Sequence, residues 1–226
     1  MFCVIIAMLI TSFQIAIYGD PEYRFYQKEY ERYQVTESLS MEIEDVMEVT
    51  SYMMDYLIGK EDVLSIETEV EGQTQDFFNE QDRLHMEDVR HLFLGGLQLR
   101  TVMLILAAGL VLFLILTKAD LRRMLTGGYF AALAVFAVLI VVLLISFAID
   151  FTASFTLFHE IFFTNDLWLF DPAEDYMIQM LPEGFFYDMV MRIGAFFVGG
   201  LVILFAVMMA ARQKAFWKFR GKTAEK

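Results

Sequence analysis

A single cysteine, Cys3, stands in a chain of 226 residues, so neither an intrachain disulfide framework nor a cysteine-rich metal site can form. Basic residues are scarce: 17 Lys and Arg face 30 Asp and Glu, for a formal net charge of −13. That leaves no basic footprint for a phosphate backbone, and a nucleic-acid partner is excluded. Spaced catalytic signatures are missing too, with no Gly-x-Ser-x-Gly elbow and no His-Glu-x-x-His run. The chain also lacks an internal repeat and a low-complexity linker. Residues 1–18 have neither a basic start nor a small-residue cleavage site before Asp20, so they are expected to stay as a helix and not to be removed as a signal peptide. Cys3 lacks the Leu-x-x-Cys setting of a lipidated cysteine.

What the chain does have is apolar residues, 58% of the total, and a mean hydropathy of +0.50. A soluble domain with this acidity has too little interior to hide them, so the two characters must be segregated along the sequence. Four stretches carry no charged side chain: 1–18, 101–117, 129–149 and 193–211. Each approaches the roughly 20 residues that a helix needs to cross a bilayer core. The expected fold class is therefore an all-α membrane protein with four transmembrane helices. Small residues such as Gly109, Ala132, Ala195 and Gly199 suit close packing of these helices. The spans hold no ionisable side chain to line a path, which argues against a transporter.

Lysine and arginine fix the expected orientation, because short cytoplasmic loops retain them. The loop at 118–128 and the tail at 212–226 hold nine basic and two acidic residues, whereas 19–100 and 150–191 hold seven basic and 28 acidic. Both termini are expected in the cytoplasm of a multi-pass cell-membrane protein. Residues 19–100 and 150–192 would then form an extracellular cap, mostly helical.

Patterns within the cap are legible. Tyr23, Tyr26, Tyr30 and Tyr33 recur at helical spacing after Pro21, as in an amphipathic helix at the lipid surface or a stripe packed on the rest of the cap. An apolar face through Val46, Thr50, Met53, Met54 and Leu57 predicts a helix over 40–57 with Ser40 as N-cap and Gly59 as stop. That face reads as core packing in preference to a methionine-lined groove. Leu64, Ile66, Thr68 and Val70 alternate with polar residues, which predicts a short strand or hairpin before Gly72. Phe151, Phe155, Phe158 and Phe162 lie on one helical face, so the third span is expected to continue outward with an aromatic stripe.

Chemistry is expected where the two outer segments rejoin the membrane. His85 and Asp88 share a helix face, so Asp88 could orient His85 and favour its imidazolium, while His91 is turned away and reads as an ordinary interfacial residue. His159 sits among Phe155, Phe158, Phe162 and Phe163, shortly before Asn165, Asp166 and Trp168. An aromatic belt accounts for the rings but not for the histidine among them. Other chemistries have weaker support: Ser154 with His159 lacks an elbow, and a metal hydrolase using His85, His159, Asp88 or Glu160 lacks a ligand spacing. A non-enzymatic scaffold whose cap binds a partner is the alternative class.

Two blocks, His85-Met86-x-Asp88-Val89 and Phe158-His159-x-x-Phe162-Phe163 followed by Asn165, Asp166, Trp168 and Pro172, resemble the lipoprotein intramolecular transacylase family of Gram-positive bacteria. The order of a first helix, a Tyr-rich entry and three further helices is similar as well, so the resemblance covers essentially the whole chain. Arg90 departs from the block, where the family has lysine, but keeps the charge.

The resemblance implies a diacylglyceryl lipoprotein as substrate, with the sn-2 acyl chain moving to the α-amino group of the same cysteine. It implies His85 and His159 as the catalytic pair, one as base and the other as acid, with no cofactor or metal. Asp88, Phe155, Phe158, Phe162, Phe163, Asn165, Asp166 and Trp168 would support or position the substrate. The site would lie near the extracellular face, in contact with membrane lipid.

Overall fold

The computed structural model describes residues 1–210 in full and, for 211–224, the helical backbone alone; the basic tail expected over 212–226 lies outside the fully described residues. Helices dominate. They run in the order α1 (Phe2–Tyr18), α2 (Arg24–Arg32), α3 (Val35–Leu39) and α4 (Ile43–Leu57), followed by a hairpin of β1 (Glu67–Val70) and β2 (Gln73–Asp76). Then come α5 (Glu80–Leu116), α6 (Leu121–Ile149), α7 (Phe151–Phe162), α8 (Tyr176–Met180) and α9 (Glu183–Ala224). The chain divides into two compact units, one of Met1–Gln14, Gln98–Ile149 and Arg192–Lys226, the other of Ile15–Leu97 and Asp150–Met191.

In the first unit, apolar residues surround the helices on all sides, the pattern of helices solvated by lipid. Ile105, Leu116, Val138 and Ile149 are all exposed. Three helices, Glu80–Leu116, Leu121–Ile149 and Glu183–Ala210, are long and apolar enough to cross a membrane. Four spans are expected from the sequence; α1 is a shorter apolar helix whose 17 residues cover about 25 Å against a hydrocarbon core of roughly 30 Å. The second of the charge-free runs is the end of α5, which begins at Glu80 well before it.

Ile5, Tyr129, Ala132, Phe197 and Leu201 form the core of this unit. The Tyr129 hydroxyl donates to the Leu201 carbonyl at 3.0 Å, so its polar end is satisfied. Met8 packs closely on Gly200, where a Cβ would lie 2.7 Å from its sulfur and would require the flexible Met8 side chain to shift.

The second unit packs an aromatic and methionine core. Tyr26 and Tyr30 of α2 are buried, and both rings lie against Phe185, with centroids 5.2 and 6.1 Å away. The tyrosine stripe therefore packs on the rest of its unit. Tyr30 shares a 2.7 Å hydrogen bond with Thr50, whose hydroxyl reaches the Val46 carbonyl at 2.8 Å. Tyr33 donates to Asp188 at 2.7 Å, and Arg32 pairs with the same carboxylate. Its ring packs on Gly184, where a Cβ would come within 2.4 Å.

Ser40 is not the N-cap of α4. It ends α3 in the left-handed region, φ 49°, and the extended Glu42 precedes α4 instead. Gly59 follows α4 with φ 80°, as the predicted stop requires. A hairpin is present, with Val70 opposite Gln73 and Glu67 opposite Asp76, but its first strand starts only at Glu67, leaving Leu64 and Ile66 outside, and it turns at Gly72 instead of ending before it. Its two turn residues, Glu71 and Gly72, have φ of 53° and 74°, the backbone hand that matches strand twist in a two-residue loop. Nothing lies within 4 Å of a Cβ built on Gly72.

The third apolar helix does not run on into the aromatic stripe. Asp150 is extended, φ −158°, and its carboxylate accepts from the Ala153 amide, so α6 ends and α7 starts anew. A short acidic side chain that can satisfy free amide groups at a helix start outweighs the continuous apolar periodicity.

Candidate active site

The start of α5 is fixed by a reciprocal cap. The Asn79 amide donates to Asp82 Oδ2 and the Asp82 amide donates to Asn79 Oδ1, both at 2.9 Å. Asn79 Nδ2 also donates to Asp175 Oδ1 at 2.6 Å, tying this helix start to the turn before α8. Asp82 is fully buried, and removal from water pushes its carboxyl up to about 6. Gln81 adds a second tie, donating to the carbonyls of Leu167 and Leu169 at 3.0 and 3.1 Å.

One turn further on, this frame carries His85, which is only 6% exposed. Phe163 and Phe170 pack on its ring at centroid distances of 5.2 and 5.3 Å. Among the described residues its Nδ1 is buried and has no hydrogen-bond partner. Burial first, and His159 second, lower its pKa to about 4, against a smaller opposing pull from Asp88. His85 is thus held neutral at physiological pH.

His159 lies in the last turn of α7 and is 7% exposed. Its Nδ1 is 2.7 Å from the Phe155 carbonyl. A carbonyl only accepts, so Nδ1 carries hydrogen and the neutral ring keeps its lone pair on Nε2. Burial lowers this pKa too, opposed by the Phe155 hydrogen bond. Trp168 stacks on the ring at 4.9 Å and 27°, and Phe155, Phe158 and Phe163 pack at 4.3, 5.3 and 5.6 Å. The two imidazole centroids are 6.1 Å apart.

The other candidate residues divide. Trp168 Nε1 donates to the Asn165 carbonyl at 2.9 Å, and Asn165 Oδ1 accepts from the Leu167 amide at 3.1 Å, so these residues hold the wall in shape. Asp88 does not hydrogen-bond His85. Its Oδ2 accepts from Asn165 Nδ2 at 2.8 Å, because the fold brings an amide donor from a distant segment to the carboxylate. Asp88 still favours the imidazolium of His85, as expected, but burial and His159 together outweigh it.

Phe162 packs, tilted, on Phe158 at 4.8 Å and not on an imidazole, and both are exposed. Asp166 is exposed, and among the described residues its side chain makes no hydrogen bond. Ser154 donates to the Asp150 carbonyl at 2.8 Å. Among the described residues no three His, Cys, Asp or Glu side chains are grouped to hold a metal ion.

Phe170 as a neighbour of His85 and the Asn79–Asp82 frame are not among the expectations from the sequence. Asn-x-x-Asp ahead of a helical run is a recognisable capping signal; nothing local foretells Phe170. His91, expected to be an ordinary interfacial residue, lines a cleft of about 240 Å³ together with Asp88, Leu92, Phe162, Phe163 and Asn165.

Membrane-length apolar helices and a buried imidazole pair inside an aromatic wall define a class: a helical membrane protein with a histidine site shielded from bulk water. The family model described as lipoprotein intramolecular transacylase Lit matches residues 1–186, and the chain belongs to that family of integral membrane transacylases in lipoprotein processing. Among solved structures, it is similar to the membrane integral lipoprotein intramolecular transacylase Lit from Bacillus cereus. There the TM-score is 0.78 at 22% identity over 96% of this chain and 94% of that one. Two structures of histidine variants of the same Bacillus cereus protein, to arginine and to alanine, each match with a TM-score of 0.75 at 22% identity. They cover 96% of this chain and 90% and 91% of theirs. No curated protein matches the chain.

Proposed function

We propose that the protein moves the sn-2 acyl chain of an S-diacylglyceryl-cysteine lipoprotein to the α-amino group of the same cysteine, leaving the lyso-form. One observation carries this reading: two buried imidazoles whose centroids are 6.1 Å apart, enclosed by aromatic rings. Family membership supports acyl transfer within a lipoprotein.

Attack closes a ring of N, Cα, Cβ, S, CH2, CH, O and the acyl carbon, a size that is entropically awkward in solution. A rigid enclosure that holds the substrate in near-attack geometry recovers part of the roughly 7–11 kcal/mol available from orientation. Aromatic walls admit acyl chains and exclude the water that would turn transfer into hydrolysis.

The proton inventory fits the two rings. The ammonium form of an α-amino group, which titrates at about 7.7–8.0, gives one proton to solvent before attack, and the nitrogen sheds a second as the acyl C–N bond forms. His159 takes that proton at Nε2, and its imidazolium keeps the hydrogen bond to the Phe155 carbonyl. His85, neutral because it is desolvated, donates an N–H to the oxygen that gains charge as the carbonyl becomes tetrahedral. The acyl C–N bond forms, the acyl C–O bond breaks, and the proton held by His159 ends on the glyceryl oxygen. These transfers balance without a metal, and activity is expected to survive chelator treatment.

In the same reading residues 1–18 are a fourth span, 19–100 and 150–192 form an extracellular cap, and both termini are cytoplasmic, as the distribution of Lys and Arg supports. The deciding experiment is mass spectrometry of a diacylglyceryl lipopeptide incubated with the purified protein. Total mass should stay constant while fragmentation finds one acyl group on nitrogen; loss of a fatty acid would mean a lipase. His85→Asn and His159→Asn, each still folded, should lower the rate about 10²–10⁴-fold.

A further inference from the structure

Asp88 has a geometry that neither imidazole uses. Asn165 Nδ2 holds one of its carboxylate oxygens at 2.8 Å, and among the described residues no cation pairs with Asp88. The carboxylate faces the cleft of about 240 Å³, and that cleft shares a wall with the imidazole site, because Phe163 lines it and also packs on both histidines at 5.2 and 5.6 Å. The volume is too small for a pair of acyl chains but has room for an amino terminus and the peptide unit beside it. Asp88 also follows His85 by three residues on α5, less than one helical turn.

A carboxylate steered by a neutral amide and lacking a counter-ion is a receptor for a cation. It repels phosphate headgroups and carboxylates alike. The proposed substrate brings one cation to the reaction, the ammonium form of the amino group that must later attack.

We infer that Asp88, oriented by Asn165, binds the α-ammonium group of the diacylglyceryl-cysteine in this cleft and presents it to the imidazole pair. Asp88 is then the residue that selects a free amino terminus, and an already N-acylated lipoprotein is refused. This inference rests on the transacylase reading above and adds the subsite that recognises the nucleophile. No covalent bond changes at Asp88; the ammonium group releases one proton to solvent before attack, and the second passes through His159 to the glyceryl oxygen.

The test measures binding in the His159→Asn background, where turnover is suppressed, by calorimetry in detergent. Two probes are compared: an S-diacylglyceryl-cysteinyl-serine amide with a free amine, and its des-amino counterpart, which has hydrogen in place of the ammonium. With Asp88 present the amine probe should bind about ten- to a hundredfold tighter. Asp88→Asn keeps the acceptor for Asn165 and should abolish that preference, whereas Asp88→Glu should restore most of it. An equal preference in Asp88→Asn, or none with Asp88 present, overturns the inference. The transacylase reading is tested separately, by conversion of the amine probe in the otherwise unaltered protein. If the probe is converted but Asp88→Asn changes no preference, the subsite alone fails. If the preference follows Asp88 but the probe is never converted, the subsite stands and the transacylase reading falls.

Discussion

An imidazole removed from water and given no hydrogen bond at Nδ1 has little reason to charge, and among the described residues that is the condition of His85. Histidine ¹⁵N spectra should show His85 neutral down to about pH 4, and show His159 as the tautomer with hydrogen on Nδ1. A His85 signal that titrates near its ordinary value of 6.5 would mean that the ring meets solvent. Trp168 joins two tasks, stacking on His159 and donating to the Asn165 carbonyl. Trp168→Phe keeps a ring and loses the donor, for a cost of about 1 kcal/mol, and Trp168→Ala should slow acyl transfer further because the imidazole loses its backing.

At this scale the sequence had clear limits. That His85 and Asp88 share a helix face follows from their spacing, but which partner the carboxylate takes depends on Asn165, 77 residues away. Likewise, the approach of His85 to His159 came into view only through the family resemblance, since no local pattern links side chains 74 positions apart.

Elements are held by their ends. Asp150→Ala removes the side chain that starts α7 and should cost about 1 kcal/mol, read as a lower unfolding temperature, with a loss of activity because His159 lies in that short helix. Asn79→Ala should cost more than a single cap, since it breaks both the reciprocal pair with Asp82 and the bond to Asp175. Where local rules act alone, the sequence was readable in part: the end of the alternation, Glu67–Val70, became the first strand of a hairpin turning at Gly72, and Gly59 became the stop of α4. Where several rules compete, it was not. Ser40 looks like an N-cap, but it adopts a left-handed conformation that closes α3, and the helical periodicity of the phenylalanines hid the new start at Asp150.

Over the whole molecule, charge-free runs gave the apolar helices, but their true lengths depend on neighbours that composition does not describe; α5 extends its run back to Glu80. Stability should respond to acid through opposed groups. His85, lowered from 6.5 to about 4, and His159, also lowered, contribute stability that is complete above about 6.5 and lost as pH falls toward 4. For His85 the loss is on the order of 3 kcal/mol. Asp82, raised from 3.8 to about 6, runs the other way, its contribution complete below about 3.8 and lost as pH rises through 6. Raised Glu29 adds to the Asp82 side. Asp82→Asn should therefore raise the unfolding temperature at pH 7 and make its decline toward pH 4 steeper than in the unaltered protein, which thermal scans in detergent can measure.

The tight turn between β1 and β2 has a practical use. With open space around Gly72 among the described residues and only two residues at the tip, it is a place to graft an epitope, since exposed loop tips generally tolerate insertion. Antibody staining of intact cells against permeabilised ones would then report on which side of the bilayer this half of the polypeptide resides.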